Sequence, residues 1–167
     1  MRFLYNLYHI LTAPGVVIHE FSHAFFCAVC GVKIHKIKFF QFGKLAGYVI
    51  HDEPRKFIAG FFVSFGPLII NSLAALFLFS QWGEPYGWQE WLFLWLAFTF
   101  GLHAIPSSED ARALFNLANR RVLKNPLIVF GYPFVLLLYI LNWFKRLHVD
   151  WLFAVFLFWL GAWYLKF

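Results

Sequence analysis

The sequence His19-Glu20-Phe21-Ser22-His23 lies inside a long apolar segment, and its residue types and spacing fit metal chemistry. Histidines four residues apart lie on the same side of an α-helix, about 6 Å apart along its axis. Two neutral imidazoles so placed can bind one Zn²⁺ ion, and Glu20, rotated by about 100°, can act as a general base towards an attacking water. We therefore predict His19 and His23 as metal ligands and Glu20 as the catalytic base.

The surroundings of Glu20 strengthen this prediction. Glu20 is the sole carboxylate among residues 1–51 of the sequence. Carboxylates inside membrane segments are energetically expensive, so they mark functional sites by default. The alternative is a helix whose polar side chains only hydrogen-bond to neighbouring helices. The complete HExxH spacing favours the metal site over this alternative.

The composition is typical of a membrane protein. Of the 167 residues, 62% are hydrophobic and only 13% are charged, whereas soluble domains carry about 25% charged residues. So many apolar side chains cannot all be buried in a soluble globule of this size. We expect an all-α, polytopic helical bundle that forms a single domain over residues 1–167. The net charge of +6 comes from basic residues between apolar runs, so no nucleic-acid partner is predicted.

Apolar runs divide the chain into about five spans and one short polar helix. The first run covers about residues 3–32 and is interrupted at residues 12–15, where Pro14 predicts a kink or a restart. The other runs cover residues 57–79, 91–105, 127–144 and 151–165. Ser107 or Ser108 predicts the cap of a short helix that reaches about Leu123. Polar and apolar residues alternate at the start of residues 36–50, and glycines interrupt the rest of this stretch. This pattern predicts one or two short strands at the membrane surface.

The distribution of basic residues predicts the membrane topology. Six lie in residues 33–56, four in residues 106–126 and one at Lys166, while Arg2, Lys145 and Arg146 make up the remaining three. Basic residues concentrate on the cytoplasmic side of membrane proteins. We therefore expect five crossings with the N-terminus outside, and the metal site towards the cytoplasmic face.

A tetrahedral zinc ion held by His19, His23 and a water requires one more protein ligand. Glu109 and Asp110 both follow a predicted span on the cytoplasmic side, and His103 lies two turns earlier. Each of the three also has a structural interpretation, as a helix-capping acid or as a histidine bonded within the bundle. Spacing leaves all three open, with Asp110 slightly favoured.

The order of the motifs resembles the site-2 protease family of intramembrane zinc metalloproteases (peptidase family M50). HExxH on the first apolar segment is followed by Gly66-Pro67 with Asn71, and then by Pro106 with Asp110. The resemblance covers about residues 14–122, and two C-terminal spans at residues 127–165 follow this core. The sequence departs from the family pattern in four ways: one extra residue before Asn71, His103 in place of an asparagine, one residue fewer between Pro106 and Asp110, and Ala111 in place of a glycine.

The resemblance implies a zinc metalloendopeptidase with Asp110 as the third ligand. It also implies that Asn71, and His103 in place of the family asparagine, contact an extended substrate. The implied substrate is a membrane protein whose transmembrane helix unwinds locally and is cleaved near the cytoplasmic face. The lipid bilayer and a regulatory partner protein are the other expected partners.

Three other functions are compatible with parts of the sequence. A zinc-binding membrane scaffold or regulator without protease activity is the main alternative, although a purely structural site needs no base such as Glu20. A metal or proton transporter would need polar residues on several spans, and the last two spans have few. A hydrolase acting on a non-peptide amide or a lipid is the third.

Overall fold

The computed structural model describes residues 2–42, 46–84 and 87–165. Gly43, Lys44 and Lys166, which entered the strand and topology predictions, lie outside them. Helices make up 73% of the described residues, which confirms a mostly helical fold. The described helices are α1 (Arg2–Leu11), α2 (Ala13–Val29), α3 (Phe57–Phe79), α4 (Trp88–Leu102), α5 (Ser108–Arg121), α6 (Tyr132–Phe144) and α7 (Val149–Tyr164), and 3₁₀ turns at Pro126–Gly131 and Lys145–Leu147 precede α6 and α7.

The predicted break in the first apolar run is confirmed. Helix α1 ends at Leu11, and α2 begins at Ala13 with Pro14 in its first turn. Proline suits this position because the first amides of a helix have no intrahelical acceptor. The restart places His19 and His23 in the middle of α2, away from its two ends.

Within the described residues, two helical segments are long and apolar enough to cross a membrane. They are Phe57–Phe79, which is α3, and Pro126–Phe144, which joins a 3₁₀ turn to α6. Helices α2 and α7 are also apolar but shorter. These segments match two of the five predicted spans in length and composition.

Helix α3 is the centre of the packing, because it contacts α2, α4, α5 and α7. On one side, Phe65 packs in a buried cluster with Leu114 of α5 and Leu138 of α6. On another, Phe79 packs with Ala97 of α4 and Leu157 of α7. Since α2 and α5 both rest on α3, this helix fixes the distance between the two segments that carry predicted metal ligands.

Helices α2 and α4 approach each other closely at Gly15. A Cβ atom at Gly15 would overlap the backbone oxygen of Thr99 and would lie 2.7 Å from Cδ2 of His103. The first contact is with backbone, which cannot move aside as a flexible side chain can. Glycine at this position therefore allows α2 to lie against the end of α4.

Strands β1 (Ile34–Lys38) and β2 (Tyr48–His51) form an antiparallel pair, which confirms the predicted short strands. The register shifts between Ile34 and Lys36, so His35 lies at a bulge. Its Nε2 lies 2.7 Å from Oδ1 of Asp52, just after β2. A bulge redirects a side chain, and here it joins the start of β1 to the end of β2.

Replacing His35 by alanine is expected to raise the pKa of Asp52 towards its ordinary value. The hydrogen bond from His35 is the main cause that holds this pKa low, and the charges of His35, Lys33 and His51 add to it. Because folding lowers the pKa of Asp52, the His35–Asp52 contact stabilises the fold above the ordinary aspartate pKa. This stabilisation is lost as the pH falls through the pKa of Asp52 in the folded state. Carboxyl NMR titration measures the shift. Lys36→Ala on the same strand should leave the Asp52 pKa unchanged, and an equal change in both variants would contradict the assignment.

Candidate metal centre

His19, His23 and Asp110 form a group whose ligand atoms all lie within 4.8 Å of one another. The Nε2 atoms of His19 and His23 are 3.3 Å apart, and Nε2 of His23 is 3.4 Å from Oδ1 of Asp110. Zinc bonds of about 2.0–2.1 Å at tetrahedral angles separate neighbouring ligand atoms by about 3.3–3.4 Å. The group could therefore hold a metal ion, and two of its three separations match tetrahedral zinc.

Backbone carbonyls fix both imidazole rings. Nδ1 of His19 lies 2.7 Å from the carbonyl oxygen of His103, and Nδ1 of His23 lies 2.8 Å from that of Val63. A carbonyl oxygen can only accept, so each Nδ1 must donate, and each neutral ring then has its lone pair on Nε2. These two lone pairs face each other across 3.3 Å, an arrangement that a cation between them would stabilise.

The carbonyl of Val63 is available because of Pro67. Helix α3 continues through Pro67, yet proline has no N–H and cannot donate to the carbonyl four residues earlier. That carbonyl belongs to Val63, and His23 of α2 donates to it instead. The Gly66-Pro67 element thus leaves an acceptor in the middle of an apolar helix, and this acceptor orients a predicted metal ligand.

Replacing Pro67 by alanine is expected to weaken zinc binding by 10-fold to 100-fold. The alanine would supply an N–H to the Val63 carbonyl, which would compete with His23, and loss of a partner that orients a ligand typically has an effect of about this size. Zinc affinity measured by competition with a chelator tests this. Pro133→Ala is the matched control, because Pro133 lies in the first turn of α6, where the missing N–H leaves no interior acceptor free. Equal zinc affinity in the two variants would contradict the role of Pro67.

Asp110 is held at the start of α5 by a capping box. Its Oδ2 accepts from the backbone N of Ser107 at 2.7 Å and from the Ser107 hydroxyl at 2.6 Å, while its own N–H donates to Ser107 Oγ. Both bonds to the carboxylate use Oδ2, so Oδ1 is the oxygen that faces His23. Ser107, one of the two predicted serines, is the N-cap. Asp110 completes the capping box and also belongs to the candidate metal group, so it combines the two interpretations left open for it.

The turn before Ser107 is held by the end of α6. Nζ of Lys145 donates to the carbonyls of Ile105 and Pro106, each at 3.1 Å, and the Asn142 amide donates to Pro106 at 3.1 Å. Burial lowers the pKa of Lys145 from its ordinary value, and the charge of Asp110 opposes this shift. Sequence reasoning did not find Asn142, Lys145 or the Val63 carbonyl, because each acts through a partner distant in sequence.

A cavity of about 410 Å³ contains the group. His19, His23 and Asp110 line it together with Glu20, and β2 lines it through Tyr48, Val49 and His51. The loop before β2 lies directly on Glu20: a Cβ atom at Gly47 would be 2.6 Å from Cγ of Glu20. The predicted base, the predicted ligands and one strand therefore share a single space.

The other predicted site residues occupy different positions. His103 lines the cavity, but within the described part of the chain its Nε2 is buried without a hydrogen-bond partner. Glu109 is exposed and also lines the cavity. Of the three possible third ligands, Asp110 is the one with a ligand atom close to those of His19 and His23.

Asn71 is 0% exposed and is not among the described residues that line the cavity. Its amide donates to the carbonyls of Gly15 at 3.2 Å and Phe100 at 3.4 Å, and so ties α3 to α2 and α4. The structure thus gives Asn71 a role between helices, while its contact with substrate stays a prediction.

Comparisons with protein-family models, curated proteins and solved structures give no match. What the chain does must therefore be inferred from its own residues. The geometry offers three convergent ligand atoms, a buried carboxylate in the same cavity and a strand along its wall.

Proposed function

We propose that the chain is an intramembrane zinc metalloendopeptidase of the site-2 protease type. The observation that carries the proposal is the shared cavity: Glu20 lines it beside a ligand group with zinc-like separations, all within an apolar chain. A purely structural metal site would require His19, His23 and Asp110, but it would not require Glu20, which is not a member of this group. The catalytic core is assigned to about residues 14–122, and the spans at residues 127–165 complete the domain.

The apolar outer surface supports the placement in a bilayer. Leu73 and Phe77 of α3 are exposed, as are Leu136 and Ile140 of α6. Large contiguous apolar surfaces of this kind face lipid or a partner rather than water.

We assign the N-terminus to the outside and the cavity towards the cytoplasmic face, as the distribution of basic residues indicates. Five crossings would put Lys145 on the opposite side of the membrane from the site, whereas its Nζ donates to the carbonyls of Ile105 and Pro106 just before Ser107. We therefore propose that α6 ends at the depth of the cavity.

The proposed reaction is hydrolysis of a peptide bond by water. A zinc ion bound at the site supplies Lewis-acid chemistry, which polarises the scissile carbonyl and lowers the pKa of water. Glu20 takes a proton from the attacking water, the water oxygen bonds to the carbonyl carbon, the C–N bond breaks, and Glu20 returns the proton to the leaving amine. The Nδ1 bonds of His19 and His23 keep both rings in the tautomer that leaves Nε2 free.

We propose that strand β2 binds the substrate in an extended conformation. Within the described residues β2 pairs only with β1, and its residues line the cavity. An extended peptide can add to a free strand edge through main-chain hydrogen bonds. A transmembrane helix would therefore have to unwind locally before its amides could reach β2 and Glu20.

The proposal is tested with the purified full chain, reconstituted with two artificial single-span substrates. One carries a Gly-Pro pair near the cytoplasmic end of its helix, and the other has an uninterrupted leucine helix. We expect zinc-dependent cleavage of the first substrate, near its Gly-Pro pair, and none of the second. Stoichiometric zinc without cleavage of either substrate would instead support a zinc-binding scaffold or regulator.

A further inference from the structure

A second cavity, of about 430 Å³, lies where both candidate membrane helices begin. Two basic residues, Arg55 and Lys56, precede α3, and two more, Arg121 and Lys124, precede the segment that starts at Pro126. All four line the cavity. The start of each candidate span thus brings a pair of cations to the same place.

These four cations have no carboxylate partner among the described residues, whose ion pairs are His23–Asp110, His35–Asp52 and Arg120–Glu53. Arg120, next to Arg121 in sequence, pairs with Glu53 at 2.7 Å. Arg55 and Lys56 also line a neighbouring pocket with Asp52 and Glu53, but within the described residues they form no ion pair with either carboxylate. Lys56 is the N-cap of α3, and no side chain caps the first turn. The free amides of that turn add partial positive charge to the same region.

The other wall of the cavity is apolar. Ile58 is 57% exposed and Leu127 is 70% exposed, and both line it with Phe57 and Ile128. A free phosphate would use the cations but not these apolar side chains. The combination matches an amphiphile that carries an anionic group next to a hydrocarbon chain.

We propose that this cavity binds the head group and first acyl segment of an anionic glycerophospholipid. The phosphate lies between the basic pairs before α3 and before α6, and the chain follows Phe57 and Leu127 towards the hydrocarbon layer. Each basic residue near a membrane surface contributes about fivefold to the binding of anionic lipid. The inference rests on the membrane placement within the proposed function, and it is independent of the protease chemistry.

Native mass spectrometry of the full chain in detergent tests the proposal, with phosphatidylglycerol and phosphatidylcholine as probes. We expect phosphatidylglycerol to bind at one saturable site and phosphatidylcholine to bind far more weakly. The double variant Lys56→Gln/Lys124→Gln removes one cation from each side of the cavity and should weaken phosphatidylglycerol binding about 25-fold. The matched control Lys36→Gln/Lys38→Gln removes two exposed lysines from β1 and should retain full binding.

Several results would overturn the proposal. Equal losses in the two double variants would show diffuse charge attraction, and equal binding of the two lipids would show an apolar groove without head-group selection. Displacement of the lipid by millimolar inorganic phosphate would show a phosphate site. Circular dichroism confirms folding of each variant. Zinc content measured on the same samples reports separately on the metal centre, so a failure of the lipid site and a failure of the proposed protease site are distinguishable.

Discussion

Replacing Glu20 by glutamine is expected to lower peptide hydrolysis by at least 100-fold while zinc stays bound. Glutamine keeps the size of the side chain but cannot accept a proton from water at neutral pH. General-base catalysis contributes about 100-fold to 10,000-fold in enzymes. Glu20 lies outside the group of His19, His23 and Asp110, so its loss should not remove a metal ligand. Cleavage of the Gly-Pro substrate and zinc content are measured on the same preparation.

Glu84→Gln is the matched control for this prediction, because it removes one carboxylate at a position that does not line the described cavity. It should keep both zinc and activity. Full activity in Glu20→Gln would show that another group accepts the proton. Loss of zinc together with activity would show that Glu20 supports the metal group, and the assignment as a base would then be wrong.

The histidine pair could be predicted from sequence because its geometry is local. A helix alone brings His19 and His23 to one side, and Pro14 and the polar break before it fix where that helix starts. The structure adds what is not local. The carbonyls of Val63 and His103, which orient the two rings, come from α3 and from the end of α4.

The third ligand could not be chosen by spacing for a related reason. Glu109 and Asp110 are adjacent, and adjacent residues on a helix point about 100° apart. Which of them faces His23 depends on the rotation of α5 about its axis. The packing of Ala111 and Leu114 against α3 and the bond between Ser107 and Asp110 set this rotation. Both are tertiary or terminal contacts that a motif does not encode.

The helix lengths refine the proposed position of the site in the bilayer. Helix α4 has 15 residues and spans about 22 Å, whereas the hydrocarbon core is about 30 Å thick. In the proposed topology the tryptophan-rich start of α4 lies at the outer interface, and α4 would then end about 8 Å short of the cytoplasmic surface. His103 and the cavity follow directly in the chain, which in the proposed topology places the site inside the hydrocarbon layer. The apolar runs of the sequence predict the spans, and the observed helix ends limit the length that each span can cover.

Replacing Asp110 by asparagine is expected to weaken zinc binding by more than 100-fold. Partners that only orient a ligand typically contribute 10-fold to 100-fold to metal affinity, so loss of a charged ligand should exceed that range. Asparagine still offers an oxygen to Ser107, so the cap of α5 is largely retained. Zinc affinity is measured by chelator competition, and circular dichroism confirms the fold.

Glu109→Gln provides the same chemical change one residue earlier, in the same cavity, and should retain zinc. His103→Ala should retain zinc as well, because its backbone carbonyl, not its ring, contacts His19. The three variants together separate the three ligands that the sequence left open. Loss of zinc in Glu109→Gln with retention in Asp110→Asn would mean that α5 is rotated by one residue relative to the structure and that Glu109 is the third ligand.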